Sequence, residues 1–186
     1  AYRRQRQMCI RDRKARERLA QFPAELQNHP VLESIRREIE AVERSSVGRP
    51  YMDLALKNAD GETVALSSLA GSGRWVLLDF WATWCGPCCR EIPHLKEAYA
   101  AFSGRGFAIY AVSIDHDAAR WRQFLAENSL PWTNVLSPGE GKQSPAAAMY
   151  GIRFIPSNFL ISPDGTIAAR NLPGKQLQAR LEELMK

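Results

Sequence analysis

Residues 77–88 read Leu77-Leu78-Asp79-Phe80-Trp81-Ala82-Thr83-Trp84-Cys85-Gly86-Pro87-Cys88. An apolar run ends in two cysteines separated by Gly-Pro. The stretch from Trp75 to Phe80 is nearly continuous in apolar residues, as a strand buried on both faces of a parallel or mixed sheet requires. Over 86–102 the period changes to a helical one. Ile92, Leu95, Tyr99 and Phe102 form one stripe, and Glu91, Lys96 and Glu97 lie off it. Cys85 and Cys88 therefore fall where a strand turns into a helix. At i and i+3 of a first turn they can close a small disulfide ring. The partial positive charge of a helix N-terminus favours a thiolate there. Cys85, at an exposed helix start, is expected to attack; Cys88, one turn in, is expected to be shielded and to resolve. Pro87 sets the first turn and Gly86 lets the chain bend.

Upstream, Met52–Lys57 and Glu62–Leu66 read as short strands around the turn Asn58-Ala59-Asp60-Gly61. Downstream, Phe107–Ile114 reads as a second buried strand. Asp117–Asn128 reads as a helix with Trp121, Phe124 and Leu125 inward. Residues 129–143 read as loop, with Pro131, Pro138, Gly139 and Gly141, and Ser144–Tyr150 as a short helix. Ser157–Ile161 and Thr166–Arg170 form a hairpin around Ser162-Pro163-Asp164-Gly165, and Leu177, Leu181 and Leu184 mark a closing helix. Strands joined through helices must run parallel, whereas the hairpins add antiparallel strands. The expected fold is α/β: a mixed sheet with helices on both faces, opened by a hairpin.

The ends of the chain read differently. Residues 1–13 carry five arginines against one aspartate. The rest of the 186-residue chain thus holds 20 of its 25 basic and 19 of its 20 acidic groups. The excess charge belongs to a tail, which argues against nucleic acid as a partner, since a phosphate-binding patch should belong to the fold. Met8-Cys9-Ile10-Arg11-Asp12-Arg13 resembles the translated end of a sequencing-library adapter. As a non-native piece or a disordered tail, 1–13 is set apart from the fold. Residues 14–47 read as a helical lead segment and linker, with Pro30 in a first turn and Val31, Leu32, Ile35, Ile39 and Val42 at helical spacing. This lead is expected to be the end of an upstream domain, or else a helix packed on the next one. No apolar run approaches the roughly 18 residues of a membrane span, and no secretory signal is visible.

With these residues in view, Asp79-Phe80-Trp81-Ala82 followed by Trp84-Cys85-Gly86-Pro87-Cys88 resembles the thioredoxin superfamily over about 48–186. Gly151-Ile152-Arg153-Phe154-Ile155-Pro156 lies where that family places a cis-proline facing the dithiol, and X-Pro bonds alone make the cis form cheap. The leading hairpin, a strand-helix insertion around 108–130 and Arg90-Glu91-Ile92-Pro93 are similar to the TlpA/ResA branch (AhpC/TSA-redoxin type). They are compatible with the C-terminal part of a Bacteroidetes-type multidomain member. The resemblance implies a three-layer thioredoxin-like domain and a thiol-disulfide oxidoreductase that reduces extracytoplasmic, periplasmic proteins. It implies protein disulfides and an upstream thiol reductant as partners, a membrane tether in a full-length protein, and no cofactor or metal. It makes Cys85, Cys88, Asp79 and Glu91 catalytic: Asp79 stands where thioredoxins keep a proton-relaying acid, whose pKa burial should raise. Glu91 matches an acid that ResA-like proteins place near the dithiol. Trp84, Gly86, Pro87, Ile155 and Pro156 are implied to contact substrate. Trp81 is expected in the core. Cys89 stands where Arg or Lys is usual and is expected to be a half-buried small residue.

Two other classes are weaker. A peroxiredoxin-like peroxidase needs Pro-x-x-x-Thr-x-x-Cys, but Leu78 replaces the proline and Thr83 is one residue out of place. A thiol metal carrier could use Cys85 and Cys88 with a distant histidine, but His94 and His116 sit in no ligand-spaced motif.

Overall fold

The computed structural model describes residues 15–139 and 144–185. The segment 1–13, with Cys9, and Gly141 of the expected loop lie outside the described residues. After a helix over 15–20, the chain forms α1 (Pro30–Arg44), β1 (Ala55–Asn58), β2 (Thr63–Ala65), β3 (Trp75–Trp81), α2 (Gly86–Phe102) and β4 (Phe107–Ser113). It continues through α3 (Ala118–Asn128), β5 (Thr133–Leu136), α4 (Pro145–Met149), β6 (Ser157–Ile161), β7 (Ile167–Arg170) and α5 (Gly174–Leu184).

The strands make one mixed sheet in the order β2-β1-β5-β4-β3-β6-β7. The apolar run of β3 takes a central place. It pairs in parallel with β4, Leu78 beside Tyr110, and antiparallel with β6, Leu78 beside Phe159. Six of its seven residues are buried, which explains why its sequence shows no alternation. Phe80, Tyr150 and Phe159 pack ring to ring, with centroids 5.0–6.2 Å apart. Burial holds the Tyr150 hydroxyl's pKa far above its usual value. That hydroxyl donates to the Met52 carbonyl and accepts the Met52 N–H. The core is thereby tied to the segment that leads into β1.

The strand and helix expected around 108–130 are β4 and α3. The stretch 129–143 is not all loop, because β5 pairs in parallel with β4 and antiparallel with β1. Its four residues stand between Pro131 and Pro138, and only Val135 is fully buried. Too short for a local pattern, β5 is made by its partners. The first hairpin is shorter than expected. Asp53 turns away from strand pairing to accept from the N–H groups of Leu54 and Ser67 and from the Ser67 hydroxyl.

The lead helix α1 meets the sheet domain through Val42, which lies against Gly151, whereas its Leu32 and Ile39 cluster with Leu19 of the lead segment. His29 caps it and Pro30 opens it. Val31, expected inward, is exposed, because it lies about 100° around from Leu32. The Ser45 hydroxyl donates to the Tyr150 carbonyl at 2.9 Å, in a buried contact. Gly151 follows with φ +62°, and a Cβ there would come within 2.7 Å of Val42 Cγ2 and 2.8 Å of the Val42 nitrogen. Left-handed backbone and close approach both require glycine. Gly151→Ala is expected to lower unfolding free energy by at least about 1–3 kcal/mol, read as an earlier urea midpoint.

Candidate active site

The site is built where β3 ends. Ala82-Thr83-Trp84 carries the chain from the sheet to Cys85, the N-cap residue of α2. The Cys85 sulfur accepts the Cys88 N–H at 3.2 Å, as an N-cap acceptor does. Gly86 and Pro87 form the first turn, where proline's missing N–H costs nothing. The two sulfurs are joined as a disulfide, with Cα atoms 5.2 Å apart. Cys85 is not at an exposed helix start: the residue is 5% exposed and Cys88 3%. The ring draws Cys85 onto the first turn against the core, and Trp84, 46% exposed, takes the outer position. Burial therefore does not separate the two cysteines in this oxidised state.

Asp79 is buried in β3, between Ala111 of β4 and Asn158 of β6 in register. Loss of water, and then repulsion from Glu91, push its pKa up to about 7. Glu91 lies one turn beyond Cys88. It is not a fully solvated charge, for its Oε2 accepts the Gly174 N–H at 2.6 Å and so joins α2 to the start of α5.

The Ile155–Pro156 bond is cis. Pro156 immediately precedes β6, whose Ser157 pairs with Phe80, so this loop and the dithiol loop leave adjacent strands at the same end of the sheet. Between them runs a groove of about 280 Å³ lined by Trp84, Ile114, Ile152, Arg153, Phe154 and Ile155. Phe154 is 84% exposed. An open aromatic wall beside a reactive dithiol suits an extended polypeptide. Trp81, as expected, is in the core and packs on Phe124 at 5.4 Å.

Sequence reasoning missed Asp115. This buried residue, just past the end of β4, accepts the Thr83 N–H at 2.9 Å and the Thr83 hydroxyl at 2.6 Å. It also accepts the Ser113 hydroxyl at 2.6 Å. The third polar group of Thr83, its carbonyl, accepts the Cys89 thiol at 3.6 Å. Burial, and then Asp115, push the Cys89 pKa up, which keeps it protonated for that bond. The one available signal was an acid at the carboxyl end of an apolar parallel strand, where open α/β sheets collect functional groups.

The AhpC/TSA family model matches residues 47–170. The thiol-disulfide oxidoreductase ResA of Bacillus thuringiensis subsp. konkukian is 28% identical over 144 residues, covering 77% of this chain and 79% of its own. ResA of Oceanobacillus iheyensis is 36% identical over 125 residues, covering 65% and 62%. Among solved structures, the thioredoxin domain of a thiol-disulfide oxidoreductase from Bacteroides vulgatus superposes with TM-score 0.68 at 30% identity. That match covers 76% of this chain and 99% of the other. A thiol-disulfide oxidoreductase from Bacteroides fragilis gives 0.66 at 32% identity, over 73% and 99%.

Two outcomes follow from the buried carboxyls. Asp79 is protonated more readily folded than unfolded, so its contribution is fully present below about pH 4 and is lost as pH rises to about 7. Between those values the oxidised protein is expected to lose about 1.4 kcal/mol per pH unit relative to Asp79→Asn, measured by urea unfolding of both across that range. Thr83→Val, which removes one bond to Asp115, is expected to cost about 1–3 kcal/mol. Thr83→Ser, which keeps both, should cost less in the same assay.

Proposed function

The chain belongs to the AhpC/TSA family and is a thiol-disulfide oxidoreductase, and we propose that it works as a reductase of extracytoplasmic protein disulfides. The carrying observation is the Cys85–Cys88 disulfide at the N-terminus of α2, beside an open apolar groove. We assign the domain to 48–186 and the helical lead to 14–47.

In the proposed cycle the dithiol form acts on substrate. The Cys85 thiolate, favoured by the helix N-terminus, attacks one sulfur of the substrate disulfide. That S–S bond breaks, the other substrate sulfur leaves as a thiolate, and a mixed disulfide with Cys85 forms. Cys88 gives its proton to Asp79 and attacks the Cys85 sulfur. The mixed disulfide breaks and the second substrate thiolate leaves. Two electrons have passed to substrate and the enzyme holds Cys85–Cys88. An upstream dithiol returns the electrons. A pKa of about 7 suits Asp79 for this exchange, since it can take and return a proton near neutrality. Glu91 raises that pKa and so takes part at one remove. Gly86 and Pro87 shape the turn on which substrate sits. Trp84 and Ile155 line the groove, the cis Pro156 follows directly and is assigned to contact substrate, and the backbone of Ile155 is assigned to pair with an extended substrate.

Cys88→Ser should accumulate the mixed disulfide on Cys85, identified by non-reducing gels and mass spectrometry of the adduct. Trapping by Cys85→Ser instead would reverse the two roles.

A further inference from the structure

The lead helix lies ahead of the family match at 47–170, yet it reaches the active-site edge. Beside the groove is a second cavity of about 260 Å³, lined by Ser34, Arg37 and Glu38 of α1 and by Gly151, Ile152 and Arg153. Ile152 and Arg153 line both cavities. The two therefore adjoin at Ile152 and Arg153, with Trp84 and Phe154 on one side and α1 on the other. Their geometry is fixed from below, because Gly151 sits against Val42 and Tyr150 is held by Ser45.

The charged residues lining the cavity beside α1 are Arg37, Arg153 and Glu38. Glu38 pairs with Arg153 at 3.6 Å. Arg37 lines the same cavity and has no acidic partner among the described residues. Two guanidinium groups thus face one carboxylate. A guanidinium fork is matched by a carboxylate, which it can bind through two parallel hydrogen bonds.

We infer that α1 and residues 151–153 extend the substrate groove into a basic subsite, with Arg37 as its reader, that takes an acidic side chain flanking the disulfide of the protein substrate. The inference rests on the groove being the substrate site. Arg153 stays tied to Glu38 and forms the threshold between the apolar and charged parts. Arg37 supplies the attraction, and Phe154 and Trp84 hold the chain that presents the carboxylate. The subsite is solvent-facing, so its contribution is modest and salt-sensitive: exposed ion pairs change affinity about 1.5- to fivefold.

The test uses two synthetic peptides, each joined to a reporter thiol by a disulfide. One carries three glutamates beside its cysteine and the other three lysines. With reductant in excess, the Glu peptide is expected to show a KM about three- to fivefold lower at equal kcat, a preference that 0.5 M NaCl removes. Arg37→Gln should abolish the preference and Arg37→Glu should reverse it, with folding of both checked by thermal melts. Equal KM values for the two peptides overturn the inference, as does a preference that survives Arg37→Glu. Reduction of 2-hydroxyethyl disulfide by the wild-type protein reads the dithiol without the groove. A protein inert toward it overturns the reductase reading and this inference together.

Discussion

Everything at the reactive edge depends on how the chain turns between Trp81 and Gly86. Four residues must leave a strand buried on both faces, present an aromatic side chain outward and deliver a sulfur to the N-terminus of a helix. Such a turn leaves a buried threonine whose N–H, hydroxyl and carbonyl have no place in the sheet or the helix. Asp115 takes the first two and Cys89 the third. Unpaired, each group would lose its bond to water and gain nothing. The Thr83 cluster is therefore what makes the strand-to-helix junction compatible with burial. Asp115 stands on the chain leaving β4, the parallel neighbour of β3, so two of the three Thr83 groups are held from the next strand.

The two acids below the dithiol follow from the same compactness. Asp79 is buried because β3 is central, and its pKa rises to about 7 because water is absent and Glu91 is near. Glu91 is held in turn by the Gly174 N–H. A Cβ at Gly174 would come within 2.2 Å of His94 Cβ, so α5 can approach α2 this closely only through glycine. The electrostatics at Asp79 thus depend on a helix contact almost a hundred residues away in sequence.

Much was legible from local pattern. The apolar run of β3, the helical stripe of α2, the proline in its first turn and the late hairpin all appear where periodicity and turn chemistry put them. Their signals lie within a dozen residues. β5 was not legible, because four residues between prolines carry no period and the strand exists through β4 and β1. Asp115 was not legible either, because an acid after a strand looks like any loop carboxylate until Thr83 is beside it. The exposure of Cys85 was misjudged because its sulfur faces Cys88 and the core, and Trp84 covers the outer side.

The sequence by itself determined a dithiol at the start of a helix, an acid buried in the strand before it and a proline ahead of β6, together with the family these imply. Each is a matter of residue type at short spacing, where backbone geometry leaves few choices. The tertiary structure alone decided which groups hold the junction, how Glu91 is fixed, that α1 packs against Tyr150 and Gly151, and that the cavity beside α1 adjoins the groove at Ile152 and Arg153. Those facts rest on contacts between residues far apart in the chain, and such contacts exist only once the sheet has brought the carboxyl ends of β3 and β4 and the start of β6 to one edge.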